Sequence, residues 1–84
     1  HVPTRPSLRQ LLSVVLPSEG DFEAFCLDHF VDVYRRFMGT SLDRVKKTNL
    51  LLSYKDPVEV LDALRLSYPD DVERHKKLLR YERS

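Results

Sequence analysis

The chain has 84 residues, of which 42% are apolar and 32% charged, and its 14 basic and 13 acidic side chains leave a formal net charge of +1. A domain this small buries only roughly 60 to 65% of the surface its unfolded form exposes, which leaves no room for a spacious catalytic cavity. The near-neutral balance excludes bulk attraction to nucleic acid or membrane, and the single cysteine, Cys26, excludes an internal disulfide and suits a reducing, cytoplasmic setting.

Scarce glycine, short β-branched runs and apolar residues recurring at three and four predict an all-α domain. In "TRPSLRQLLSVVLP", Leu8, Leu11, Leu12, Val15 and Leu16 share a stripe, Pro6 fits the first turn and Pro17 stops the run, so a first helix spans about Arg5 to Leu16. Ser18 followed by Asp21 resembles a capping box, and Phe22, Phe25, Cys26 and Phe30 follow at helical spacing. Around "HFVDVYRRF" the phase shifts to Val33, Tyr34 and Phe37, which predicts a bend and a short third helix ended by Gly39.

Thr40 or Ser41 is the expected cap of a fourth helix carrying Leu42, Val45, Asn49 and Leu52 on one side. Asn49 is then expected to face inward and need a buried hydrogen-bond partner. "DPVEVLDALRLSYP" reads as a fifth helix: Asp56 as cap, Pro57 at the first position, Glu59 completing an Asp-x-x-Glu box, and a stripe of Val60, Leu61, Leu64 and Tyr68. The segment "DDVERHKKLLRY" runs from acids to bases as a macrodipole favours, with Val72, His75, Leu78 and Leu79 inward. The expectation is a compact antiparallel bundle of five to six short helices.

The longest apolar runs, such as "NLLL" and "SVVL", fall far short of the ~20 residues of a membrane helix, and no signal-like segment opens the chain. His1 in place of an initiator Met points to a single module over 1–84, with its core over about 7–82, cut from a longer protein. No internal repeat is visible in the sequence.

Cys26 and His29 are three apart and could share a helix face. Zinc needs three or four such ligands, however, and His1 and His75 lie in other parts of the chain. Cys26 also falls on the stripe of Phe22, Phe25 and Phe30, where an apolar setting raises a thiol pKa and makes it inert. His29 fits either the core or the outer face. Asp28 and Asp32 are spaced for acid/base work but lack a pocket signal, so a solvated helix face explains them better. These residues predict neither enzyme, metal nor cofactor. Arg35, Arg36, Arg44, Lys46 and Lys47 form a basic block whose lack of interleaved exposed aromatics weakens a nucleic-acid reading.

The order of charge is more informative. Residues 1–17 carry +2, 18–33 carry −5, 34–55 carry +5, 56–73 carry −5 and 74–84 carry +4. Such alternation either joins neighbouring helices within the bundle, where each exposed pair contributes roughly 0 to 1 kcal/mol, or equips opposed faces for association with another domain.

"DFEAFCLDHFVDVYRRF", "LDRVKKTNLLL", "VEVLDAL" and "ERHKKLLRYE", taken in that order over about Leu8 to Glu82, resemble the type-one effector-associated domain of bacterial conflict and immunity proteins. The chain departs from that pattern at Val31, where the family often has Pro, and at Ser41-Leu42, where it has Gly-Met. The resemblance implies a death-fold-like six-helix adaptor with no catalytic residues, which recruits effector or sensor proteins by pairing with a domain of the same or related type. The contact residues expected from the charge pattern are Glu23, Asp28 and Asp32 on the acidic side and Arg35, Arg36, Arg44 and Lys47 on the basic side. The alternative is a small helical nucleic-acid-binding domain using the basic block 35–47.

Overall fold

Four of the helices begin where a side-chain oxygen can accept from an otherwise free backbone N–H. In the computed structural model, which describes residues 1–82, Thr4 Oγ1 accepts from Ser7 N at 3.3 Å, Ser18 Oγ from Asp21 N at 3.0 Å, Asp43 Oδ1 from Lys46 N at 2.9 Å and Asp56 Oδ1 from Val58 N at 2.9 Å. The helices that result are α1 (Arg5–Val15), α2 (Glu19–His29), α3 (Val31–Phe37), α4 (Arg44–Tyr54), α5 (Pro57–Ser67) and α6 (Pro69–His75), with a 3-10 turn over Lys76–Leu78. The described chain is an all-α bundle of six short helices.

The bend expected near "HFVDVYRRF" falls at Phe30, which ends α2 and starts α3 (φ −139°, ψ 62°), and Tyr68 does the same between α5 and α6 (φ −134°, ψ 57°). Each hinge keeps its hydrogen bonds on both sides: Phe30 N–H donates to the Cys26 carbonyl at 2.7 Å, the Phe30 carbonyl accepts from Tyr34 N–H at 3.0 Å, and Tyr68 repeats the pattern with Leu64 and Val72. The bundle therefore consists of one three-helix pattern used twice, with lengths 11, 11 and 7 in α1–α3 and again in α4–α6. Packing follows the same scheme: α1 lies on α6 as α4 lies on α3, and α2 on α3 as α5 on α6. The two halves meet at equivalent residues, where His29 Nε2 and Ser67 Oγ, each the last of its helix, are 2.6 Å apart.

Every helix contributes to one core. Leu8, Leu11, Leu12, Phe22, Cys26, Val33, Leu51, Val60 and Leu64 are fully buried, and Phe22 stacks on Phe37 with centroids 6.2 Å apart. Burying each large side chain is worth roughly 1.5 to 3 kcal/mol, so a few of them outweigh all the surface pairs together. The ends are clasped: Thr4 N–H donates to Arg80 C=O and Glu82 N–H to Val2 C=O, both at 2.8 Å, around an antiparallel bridge between Pro3 and Tyr81. Ser7 Oγ, itself buried, reaches the Arg80 carbonyl at 3.1 Å.

Three expectations require correction. The cap of α4 is Asp43, whose carboxylate reaches Lys46 N–H, whereas Thr40 Oγ1 donates back to the Phe37 carbonyl at 2.6 Å and closes α3. A helix starting at Arg44 turns Val45 outward, 60% exposed, and buries Thr48, Leu51 and Leu52. Asn49 is exposed, and its Oδ1 accepts from Arg9 Nε at 3.0 Å, so its partner lies on the surface. The last helix stops at His75, with Val72 and Leu79 buried but His75 and Leu78 only half-buried. At Gly39 φ is +77°, the left-handed conformation that ends the α3 segment and that glycine adopts without strain.

Candidate functional site

Cys26 belongs to the core. Its side chain is fully buried, and burial pushes its thiol up to about 12, a setting in which the thiolate is scarce at neutral pH. The His29 ring lies tilted beside Phe25, with centroids 5.1 Å apart, and its Nε2 bonds Ser67 Oγ, so this nitrogen joins α2 to α5. Among the described residues no three His, Cys, Asp or Glu side chains are grouped to hold a metal. A cleft of about 320 Å³ opens between the start of α1 and the C-terminal segment, lined by Thr4, Pro6, Ser7, Gln10, Leu78 and Arg80. The hydroxyls in it are engaged in capping and in the terminal clasp. No described helix is long and apolar enough to cross a membrane.

The basic candidates separate into two kinds. Arg44 is half-buried and engaged: its guanidinium sits 4.1 Å from the Phe22 ring centroid, Nη2 donates to the Leu12 carbonyl at 3.2 Å, Nε reaches Thr48 Oγ1 at 3.4 Å, and burial lowers its pKa from the ordinary value. Lys47 is similarly engaged, with only 12% of its side chain exposed, an ion pair to Glu19 at 3.3 Å and the Phe37 ring at 5.3 Å. Arg35 and Arg36 are exposed, and the Arg36 guanidinium lies over Tyr54 at 4.4 Å. That stack fixes the direction of the charge without neutralising it.

On the acidic side Glu23 is half-buried, Asp28 is exposed, and Asp32 pairs with Lys55 at 2.9 Å. The hydrogen bond from Lys55 holds the Asp32 carboxyl below its usual range. Asp32 and Arg36, one turn apart on α3, thus meet Lys55 and Tyr54 at the end of α4. Lys46, part of the basic block expected from the sequence, is exposed, while Tyr54 and Lys55 were not among the expected contact residues, because the expected apolar stripe gave the fourth helix a different rotation.

All four described ion pairs join an acidic block to a basic one, but only Glu19 with Lys47 and Asp32 with Lys55 connect residues distant in the chain. The other two, Asp71 with Arg74 and Glu73 with Lys76, are local pairs three residues apart. The acids of α5, Glu59 and Asp62, are exposed and form no ion pair among the described residues. They share the outward face of α5 with Val58 and with Leu66, which at 77% exposure is the most exposed large apolar side chain described. The signal for this face was available: Val58, Asp62 and Leu66 recur every four residues opposite the buried stripe of Val60, Leu61 and Leu64.

No protein-family model, no curated protein and no solved structure matches this chain.

Proposed function

We propose that the chain is a non-enzymatic adaptor that docks with another helical domain, of its own or a related type, and in this way recruits effector or sensor proteins. The observation that carries the reading is the unspent charge of α5 and the α3–α4 edge: the bundle leaves Glu59 and Asp62 on one face, and Arg35, Arg36 and Lys46 elsewhere, without intrachain ion pairs among the described residues. Opposed charges held on rigid helices set partner choice and encounter rate more than raw affinity. The resemblance to the type-one effector-associated domain supplies the biological setting, a cytoplasmic bacterial defence or signalling protein with a death-fold-like recruitment module.

Nucleic-acid binding through 35–47 is less well supported, because Arg44 and Lys47 are engaged within the bundle and cannot be given to phosphates without loss of those contacts. A photo-crosslinking residue placed at position 35 in the cell tests the choice. The adaptor reading expects a discrete adduct with a helical protein domain; recovery of nucleic acid on the crosslink, with a salt-sensitive shift of generic duplex at micromolar protein, would overturn it.

A further inference from the structure

Two helix faces on this chain match each other. On α4, Lys46, Leu50 and Tyr54 recur every four residues, with Lys46 exposed, Leu50 half-buried, Tyr54 51% exposed and the Arg36 guanidinium laid on the Tyr54 ring. On α5, Val58, Asp62 and Leu66 recur at the same interval, with Glu59 alongside. Both stripes cover nine residues, roughly 12 Å of helix. One carries two cations beside an aromatic and an aliphatic side chain, and the other carries two carboxylates beside two aliphatic ones. Arg65 flanks the acidic stripe and contributes, after the larger effect of Lys76, to holding the Glu73 carboxyl below its usual range.

We propose that the α5 face of one copy docks on the α4 face of a second copy, giving head-to-tail self-association through Arg36, Lys46 and Tyr54 on one side and Glu59, Asp62 and Leu66 on the other. The proposal rests on the adaptor reading and commits it to a partner. Charge complementarity selects that partner: a phosphate backbone would engage the two free cations but repel the acidic stripe, whereas a second copy uses both. Apolar residues at four-residue intervals are also what one helix offers another. With the stripes laid in the same direction, Lys46 comes beside Glu59, Tyr54 beneath Leu66, and Arg36 within reach of Asp62. Because the two faces differ, the contact is heterologous, and each bound copy leaves one face free at either end.

The test is molar mass against concentration by sedimentation equilibrium, at low and high salt, for the wild-type chain and for K46E, D62K and L66A. Wild type is expected to gain mass with concentration. K46E and D62K should each weaken self-association by about tenfold or more, with a larger effect at low salt, and L66A should weaken it at every salt concentration. An equimolar mixture of K46E and D62K is the decisive sample: the intact α5 face of the first and the intact α4 face of the second should form a 1:1 dimer that grows no further. A wild-type chain that stays monomeric overturns the proposal, as do variants that associate like wild type or a mixture that stays monomeric. If that chain still gives a helical-domain adduct from position 35, only the self-docking inference has failed. Loss of that adduct as well removes the adaptor reading.

Discussion

His29 Nε2 and Ser67 Oγ, the last residues of α2 and α5, lie 2.6 Å apart and tie the two three-helix halves together at equivalent positions. A hydrogen bond at this exposed junction contributes about 0.5 kcal/mol, the low end of the usual range, and a double-mutant cycle isolates it. His29→Ala and Ser67→Ala should each lower stability in urea, and the double variant should lose less than the sum by about that coupling. Additive losses would show that the contact carries no stability.

Arg44 joins α4 to α1 and α2 through the Leu12 carbonyl and the Phe22 ring. Arg44→Ala removes a donor to a backbone carbonyl and a cation from an aromatic face, and should cost about 2 kcal/mol in chemical denaturation. Arg44→Lys should recover only part of this loss, since a point charge cannot lie flat on the ring while reaching both Leu12 and Thr48. Partner binding per folded molecule should stay near wild type, which separates this arginine from Arg36.

Burial of Cys26 gives a dependence on alkaline pH. Its thiol keeps its proton in the folded state up to about 12, against 9.0 for an ordinary cysteine. Below pH 9 both states are protonated and the contribution is fully present. Between 9 and 12 the unfolded chain releases a proton that the native chain holds, so stability falls by up to about 1.4 kcal/mol per pH unit from this group. Cys26→Ala should flatten that part of the urea stability profile. Thiol labelling of the native protein at pH 8 should be slow until denaturant is added; fast labelling would place Cys26 on the surface.

Helix starts were legible where a single strong cap stood before a clear stripe, as at Ser18 and Asp56. The start of α4 was not, because Thr40, Ser41 and Asp43 are all good caps and "LDRVKKTNLLL" supports two apolar phases. The phase built on Leu42, Val45, Asn49 and Leu52 competes with the one that buries Thr48 and Leu51 beside Leu52, and only packing decides. That rotation also concealed Tyr54 beneath Arg36. The doubling of the three-helix pattern left no repeat in the residues, since its hinges are Phe30 in one half and Tyr68 in the other and equivalent core positions hold Phe22 and Val60. The clasp between Pro3 and Tyr81 rests on backbone bonds of short extended segments, which have no alternation to read. Position in the charge pattern singled out Asp32 and Arg36, which are exposed, but the engagement of Arg44 and Lys47 within the bundle depends on three-dimensional neighbours.

Asp32 and Arg36 provide the most direct test of the α3–α4 edge. Each is exposed, so reversal should leave the fold intact, as judged by unchanged helical circular dichroism and a melting temperature within a few degrees. Arg36→Glu removes the cation stacked on Tyr54 and should weaken capture of the partner domain by about tenfold at low salt and less at high salt, mainly through slower association. Asp32→Lys releases Lys55 and places a second cation beside it, so capture of an acidic face should lose orientation while gaining net attraction. Its effect should therefore be a smaller loss than that of Arg36→Glu, visible as faster dissociation. The hydrogen bond from Lys55 keeps Asp32 ionised to lower pH than an ordinary aspartate, so the orienting pair is present above the usual Asp range and is lost as pH falls through the lowered value. Capture measured by surface plasmon resonance from pH 7 down to 5 should show no step from this pair, and a step in that window that disappears in Asp32→Asn would contradict the assignment.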